Sequence, residues 1–143
     1  MLPRGIRNNN PGNINFVGQP GAVLEPKTST VPDPRFARFL TMDAGVDALA
    51  HQLILYFDRG LDTTAEIIHK WAPPSENNTT DYANTVATLL GVGVDTKLTC
   101  DVSTLTQLVM AISTYECGRR YLPFTQKSIV PLITDTLSSH GVG

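Results

Sequence analysis

Leu105-Thr106-Gln107-Leu108-Val109-Met110-Ala111-Ile112-Ser113-Thr114-Tyr115-Glu116-Cys117-Gly118 is the stretch that decides the fold and points to the chemistry. Leu105, Leu108, Val109 and Ile112 recur at helical spacing and predict one apolar stripe. Glu116 lies four residues after Ile112, seven after Val109 and eleven after Leu105, so it falls on the buried face of its own helix. A carboxylic acid placed there loses hydration, which favours its neutral form, and a retained proton is what a general acid needs. Gly118 ends the helix two residues later and opens that end toward a cleft. The structural alternative is a core Glu neutralised by Arg119 or Arg120, or a frayed helix end.

Upstream, the same periodicity predicts further helices. Asp101 or Ser103 caps the Glu116 helix. Val46, Leu49, Ala50, Leu53, Ile54 and Phe57 follow one helical stripe that stops near Gly60. Thr63 with Glu66 reads as a capping box for a helix running to Trp71, ended by Ala72-Pro73-Pro74. Asn77-Asn78-Thr79-Thr80 offers caps for a helix ending at Gly91. A fifth helix is expected from about Pro131 to Ser138. The first forty residues differ: six of the ten prolines lie there, with the run Asn8-Asn9-Asn10. Long helices are excluded, and Asn13–Val17, Ala22–Leu24 and Phe36–Leu40 read as short extended pieces. The expected architecture is mainly α (α+β): five helices and a small N-terminal β-hairpin lobe, in one domain spanning 1–143.

Composition bounds the function. The chain has 143 residues, 41% hydrophobic and 17% charged, with a formal net charge of -2, enough apolar content for a core and too little charge for disorder. No basic cluster suits a nucleic-acid backbone, and no apolar run is long enough to insert in a membrane. The opening MLPRGIRNNNPGNI lacks an apolar stretch of signal-peptide length, so export is expected to need another route. Cys100 and Cys117 read as free thiols or one bridge. His51, His69 and His140 show no zinc spacing, so neither a metal nor a cofactor is expected.

Of the four glutamates, Glu66 is assigned to the capping box. Glu25, in the loop-rich lobe, and Glu76, in the Pro-Pro-Ser-Glu-Asn-Asn loop, are solvated loop charges unless folding carries one of them opposite Glu116. Trp71 closes an apolar stripe and reads as core, or as an exposed edge facing a sugar-binding groove. The asparagines Asn8, Asn9, Asn10 and Asn13 serve either as turn formers or as donors and acceptors for carbohydrate. Cys117 has no histidine with an evident route to it, which disfavours cysteine catalysis.

Four blocks in order carry a resemblance: Arg4 to Ile14, Arg35-Phe36-Ala37-Arg38-Phe39, Trp71-Ala72-Pro73-Pro74-Ser75-Glu76-Asn77-Asn78-Thr79, and Ala111 to Gly118. Together they resemble a family of phage virion-associated and prophage peptidoglycan-degrading proteins of the lysozyme superfamily, and the last block resembles the segment that carries the catalytic Glu of lytic transglycosylases. That family commonly has His before this Glu and Asn after it, where this chain has Tyr115 and Cys117. In related glucosaminidases and transglycosylases the Glu helix comes first; here it comes last, which implies a circularly permuted lysozyme-like fold. The resemblance further implies that Tyr82 borders the cleft and that Glu25 overhangs it as a possible second carboxylate.

The implied activity is cleavage of the MurNAc–GlcNAc β-1,4 bond of peptidoglycan, with Glu116 as acid and then base, and with Asn10, Asn13, Tyr82, Glu76 and Trp71 positioning the sugars. The sequence leaves open a muramidase, an endopeptidase acting on the stems, or a non-catalytic virion or wall-binding protein. Peptidoglycan, and other virion proteins, are the implied partners. The implied location is the virion, or the host cytoplasm before release to the wall.

Overall fold

The structure is a computed structural model that describes residues 1–75 and 77–142. The chain is mainly helical, with one small antiparallel sheet. A short helix α1 (Arg4–Arg7) precedes strands β1 (Ala22–Leu24) and β2 (Ala37–Phe39). Helices α2 (Met42–Asp58), α3 (Thr64–Trp71), α4 (Thr79–Leu90), α5 (Val102–Cys117) and α6 (Gln126–Val142) follow, with a 3₁₀ turn at Arg119–Tyr121.

The caps lie where the side-chain chemistry puts them. Thr41, Thr63, Asn78 and Asp101 each accept from a backbone N–H of the first turn that follows, relieving donors that have no intrahelical partner. The Thr63 hydroxyl also donates to Glu66 Oε1 at 2.9 Å, so Glu66 belongs to the helix start. The last helix begins five residues before the expected Pro131. Thr125 and Ser128 exchange bonds there: Ser128 N–H donates to Thr125 Oγ1 at 3.1 Å, and Thr125 N–H to Ser128 Oγ at 2.9 Å. Pro131 lies inside α6 on its exposed side, as does Lys127, so the Lys127 carbonyl that loses its helical donor to the proline is open to water.

Helix α5 runs through the middle of the core. Leu105, Leu108, Val109 and Ile112 are fully buried against Val46, Leu49, Leu53 and Ile54 of α2, Ile67 and Ile68 of α3, Val86 of α4 and Ile133 of α6. Each such side chain contributes about 1.5–3 kcal/mol by leaving water, so burial of the apolar stripes fixes the helical arrangement.

The lobe cannot hold itself by apolar burial alone, because its strands are three residues long. It is tied by amides and one carboxylate. Asn10 is fully buried; its Nδ2 donates to the carbonyls of Ile14 (2.9 Å) and Ala37 (2.8 Å), and its Oδ1 accepts from Ile14 N–H (2.9 Å). Asn9, at φ +51°, donates to the carbonyls of Phe39 and Leu40. Glu25 is 3% exposed. Its two oxygens accept from the Arg4 guanidinium, Asn8 Nδ2 (3.0 Å) and the backbone N–H groups of Arg35 (3.0 Å) and Phe36 (2.8 Å). Arg4 in turn lies over the Phe36 ring at 4.2 Å. Burial pushes the Glu25 carboxyl upward, but the bonds from Arg4, Phe36, Arg35 and Asn8 outweigh it and hold it well below the usual carboxylate range.

Two expectations are corrected by this geometry. Neither Glu25 nor Asn10 faces a cleft; both are consumed inside the lobe, since five donors on one carboxylate and three bonds on one amide leave nothing for a ligand. A carboxyl whose folded-state value is depressed stabilises the fold above its unfolded value of about 4.3, and that stability is lost as pH falls below it. Thermal melts from neutral to acid pH are therefore expected to show wild-type stability falling below about pH 4. Glu25→Gln leaves Arg4 half-buried without its partner and should cost about 3 kcal/mol at neutral pH, a fall of about 10 °C in Tm. Its Tm should then depend less on acid than that of the wild type.

Candidate active site

Glu116 lies half-buried in the last turn of α5, at the wall of a groove of about 650 Å³ between the lobe and the helical body. Both of its oxygens are held. Asn13 Nδ2 donates to Oε1 at 2.7 Å, and the Tyr82 hydroxyl donates to Oε2 at 2.7 Å. The first contact joins the lobe to the helix end, and the second joins α4 to it. Asn13 reaches in because its backbone adopts φ +51°, a left-handed conformation that asparagine tolerates better than most residues. The glycine at position 5 lets the lobe close on α5: a Cβ there would lie 2.7 Å from Cys117 Sγ and 3.0 Å from Asn13 Oδ1.

Tyr82 is fully buried and stacks on Tyr115 with ring centroids 3.8 Å apart and planes 20° apart. The Tyr115 hydroxyl donates to Asp81 Oδ2 at 3.1 Å. Burial pushes the Tyr82 hydroxyl far above its ordinary value, the Glu116 carboxylate and Tyr115 add to this, and only the Trp71 indole N–H opposes it. Tyr82 therefore keeps its proton and stays a donor. It lies beneath Glu116 and does not border the groove, so the expected contact between Tyr82 and sugar is replaced by a contact between Tyr82 and Glu116.

Trp71 is half-buried and lines the groove. Its ring meets Tyr56 edge-on at 6.2 Å, and a Cβ on Gly12 would come within 2.8 Å of it. Trp71 and Tyr56 both line the groove. Glu76 lies outside the described residues. Cys117 is buried, its Sγ 3.5 Å from the Pro11 carbonyl; burial, with Glu116 nearby, pushes the thiol up to about 12, which removes it as a nucleophile. Both cysteines are free. Among the described residues no group of His, Cys, Asp and Glu is arranged to hold a metal ion, and no helix is long and apolar enough to cross a membrane.

The sequence reading missed the α2 wall of the groove. Ala44, Asp47, Ala48, His51 and Gln52 line it at i, i+3, i+4, i+7 and i+8, a second stripe beside the apolar one. Its signal was present: two alanines at that spacing leave room where larger residues would fill the space. Asp47 accepts from the Thr136 hydroxyl of α6 and also lines an adjoining recess with Asp135 and His140.

No protein-family model matches the chain. Over 96 residues it is 41% identical to Protein P5 of Pseudoalteromonas phage PM2, an overlap of 66% of this chain and 60% of that protein. The chain thus spans less than two thirds of the relative's own length.

Proposed function

We propose that the protein cleaves the MurNAc–GlcNAc β-1,4 bond of peptidoglycan as a lytic transglycosylase, on a lysozyme-like fold in circularly permuted order. The observation that carries this reading is Glu116: a half-buried carboxyl at a groove wall, its oxygens fixed by Asn13 and Tyr82, with Trp71 and Tyr56 lining the same groove. Glu116 protonates the leaving glycosidic oxygen while positive charge develops at the sugar ring. The resulting carboxylate then takes the proton of the C6 hydroxyl as that oxygen closes a 1,6-anhydro ring, so one group serves as acid and base. A hydrolase would in addition need a carboxylate to hold a water. Glu25 is committed to the lobe, which supports the single-carboxylate route. The similarity to a phage protein supports a phage association, and on this reading the protein reaches the wall from a virion or from an infected cell.

The bond class is tested by digesting purified sacculi and measuring glycan chain length and free amino groups together. Shortened glycans with unchanged amine content are expected. New amines with intact glycans would instead make the protein an endopeptidase.

A further inference from the structure

The two donors on Glu116 are not equivalent. The Tyr82 hydroxyl that donates to Oε2 is fully buried, so that oxygen is turned into the protein and away from the groove. The proton that Glu116 gives and takes then belongs on Oε1, the oxygen beside Asn13, which itself lines the groove. A protonated Oε1 is a donor, and it faces an amide nitrogen that is also a donor.

The other end of the same amide is unsatisfied. Asn13 Oδ1 is buried with no hydrogen-bond partner. It sits against Gly5, where the Asn10 carbonyl oxygen borders the same point: both lie within 3.0 Å of the position a Gly5 Cβ would take. A buried acceptor left without a donor destabilises the arrangement that holds it. Turning the amide over puts Oδ1 toward Glu116 and N–H on the Gly5 side, where the Asn10 carbonyl accepts from the Asn13 backbone N–H at 3.1 Å and keeps a second lone pair. An amide has an acceptor and a donor end of nearly the same shape, so the exchange moves no backbone.

We infer that Asn13 is a positioning residue whose side-chain amide reverses with the protonation state of Glu116, donating Nδ2–H to the carboxylate and accepting the carboxyl proton on Oδ1. This rests on the reading of Glu116 as acid and base. In the acid half of the cycle, Oδ1 holds the proton on Oε1 until the glycosidic oxygen takes it. In the base half, Nδ2–H steadies the carboxylate until the C6 hydroxyl returns a proton. Asn13 itself neither gains nor loses a proton. The other groups facing Glu116 are Tyr82 from α4 and Tyr115 and Cys117 on α5, with Asp81 behind Tyr115. Arg35, Asp47, His51 and Lys70 border the same groove.

The direct test needs no substrate. In asparagine-labelled protein, the nuclear Overhauser effect between the Asn13 side-chain amide protons and the Gly5 α-protons is followed from neutral to acid pH. It should strengthen several-fold as Glu116 takes up its proton. The same cross-peak at every pH overturns the inference, whether or not the protein cleaves peptidoglycan. Asn13→Asp supplies the kinetic test, since Asp also tolerates the left-handed backbone. Two adjacent carboxyls share one proton, so the alkaline limb of the kcat profile should move up by about one pH unit. kcat itself should fall at least about ten-fold, with KM little changed. A lower rate with an unmoved profile would make Asn13 structural only. Wild type inactive on sacculi would refute the enzymatic reading and leave the amide result to stand or fall by itself.

Discussion

Glu116→Gln is expected to abolish turnover, lowering the rate of glycan cleavage about 10³-fold, while leaving the fold intact. The substitution is close to isosteric. Asn13 Nδ2 still meets an oxygen at Oε1, and the Tyr82 hydroxyl can accept from the new amide as readily as it donated to the carboxylate. The core of α5, from Leu105 to Ile112, is untouched. Only the exchangeable proton is lost. The check is release of soluble fragments from purified sacculi, with Tm measured on the same sample. Near-wild-type release by Glu116→Gln would mean that another group supplies the proton. Loss of activity together with a large fall in Tm would mean that Glu116 serves the fold.

The second large effect is on stability and runs against helix propensity. Gly45 lies in the first turns of α2, where Ala is ordinarily favoured over Gly by about 1 kcal/mol. Here a Cβ would sit 1.8 Å from the Asn9 carbonyl oxygen and 3.1 Å from Pro11 Cδ. The first is far inside any real contact, and the obstacle is backbone, which cannot swing aside like a side chain. Asn9 is held on the other side by its bonds to Phe39 and Leu40, so the lobe must lift from α2 as a unit. Gly45→Ala should therefore cost about 3 kcal/mol and separate Asn13 from Glu116, reducing activity as well. Gly60→Ala is the control: a Cβ there meets nothing within 4 Å, and the cost is limited to about 1–2 kcal/mol for its positive φ. Chemical denaturation of the two variants checks the contrast, and equal stabilities would show that the lobe does not dock through this contact.

The helices were legible because their causes are local. Stripe and cap coincide in α2 to α5, and Thr41, Thr63, Asn78 and Asp101 act through neighbours three residues on. Pro131 suggests a helix start, but α6 starts earlier, where Thr125 and Ser128 exchange bonds. Glu116 was legible as an exception to its own stripe. The partners of that carboxylate were less so: Asn13 is 103 residues away and Tyr82 is 34, and periodicity carries no information at that range. The Asn-rich run gave an ambiguous signal for the same reason. Asn10 and Asn13 are three residues apart and look alike in sequence, yet one is spent on lobe carbonyls and the other reaches the carboxylate. Glu25 misled because a carboxylate between Leu24 and Pro26 looks solvent-facing until Arg4, Asn8 and the turn at Arg35 close over it.

If one carboxyl performs both proton transfers, the chemical form of the new sugar end reports it. Mass spectrometry of soluble fragments from purified peptidoglycan should show muramyl ends as 1,6-anhydro rings, with none from Glu116→Gln. Reducing muramyl ends, one water heavier, would rule out the single-carboxyl route, because they require an activated water and a second group to hold it.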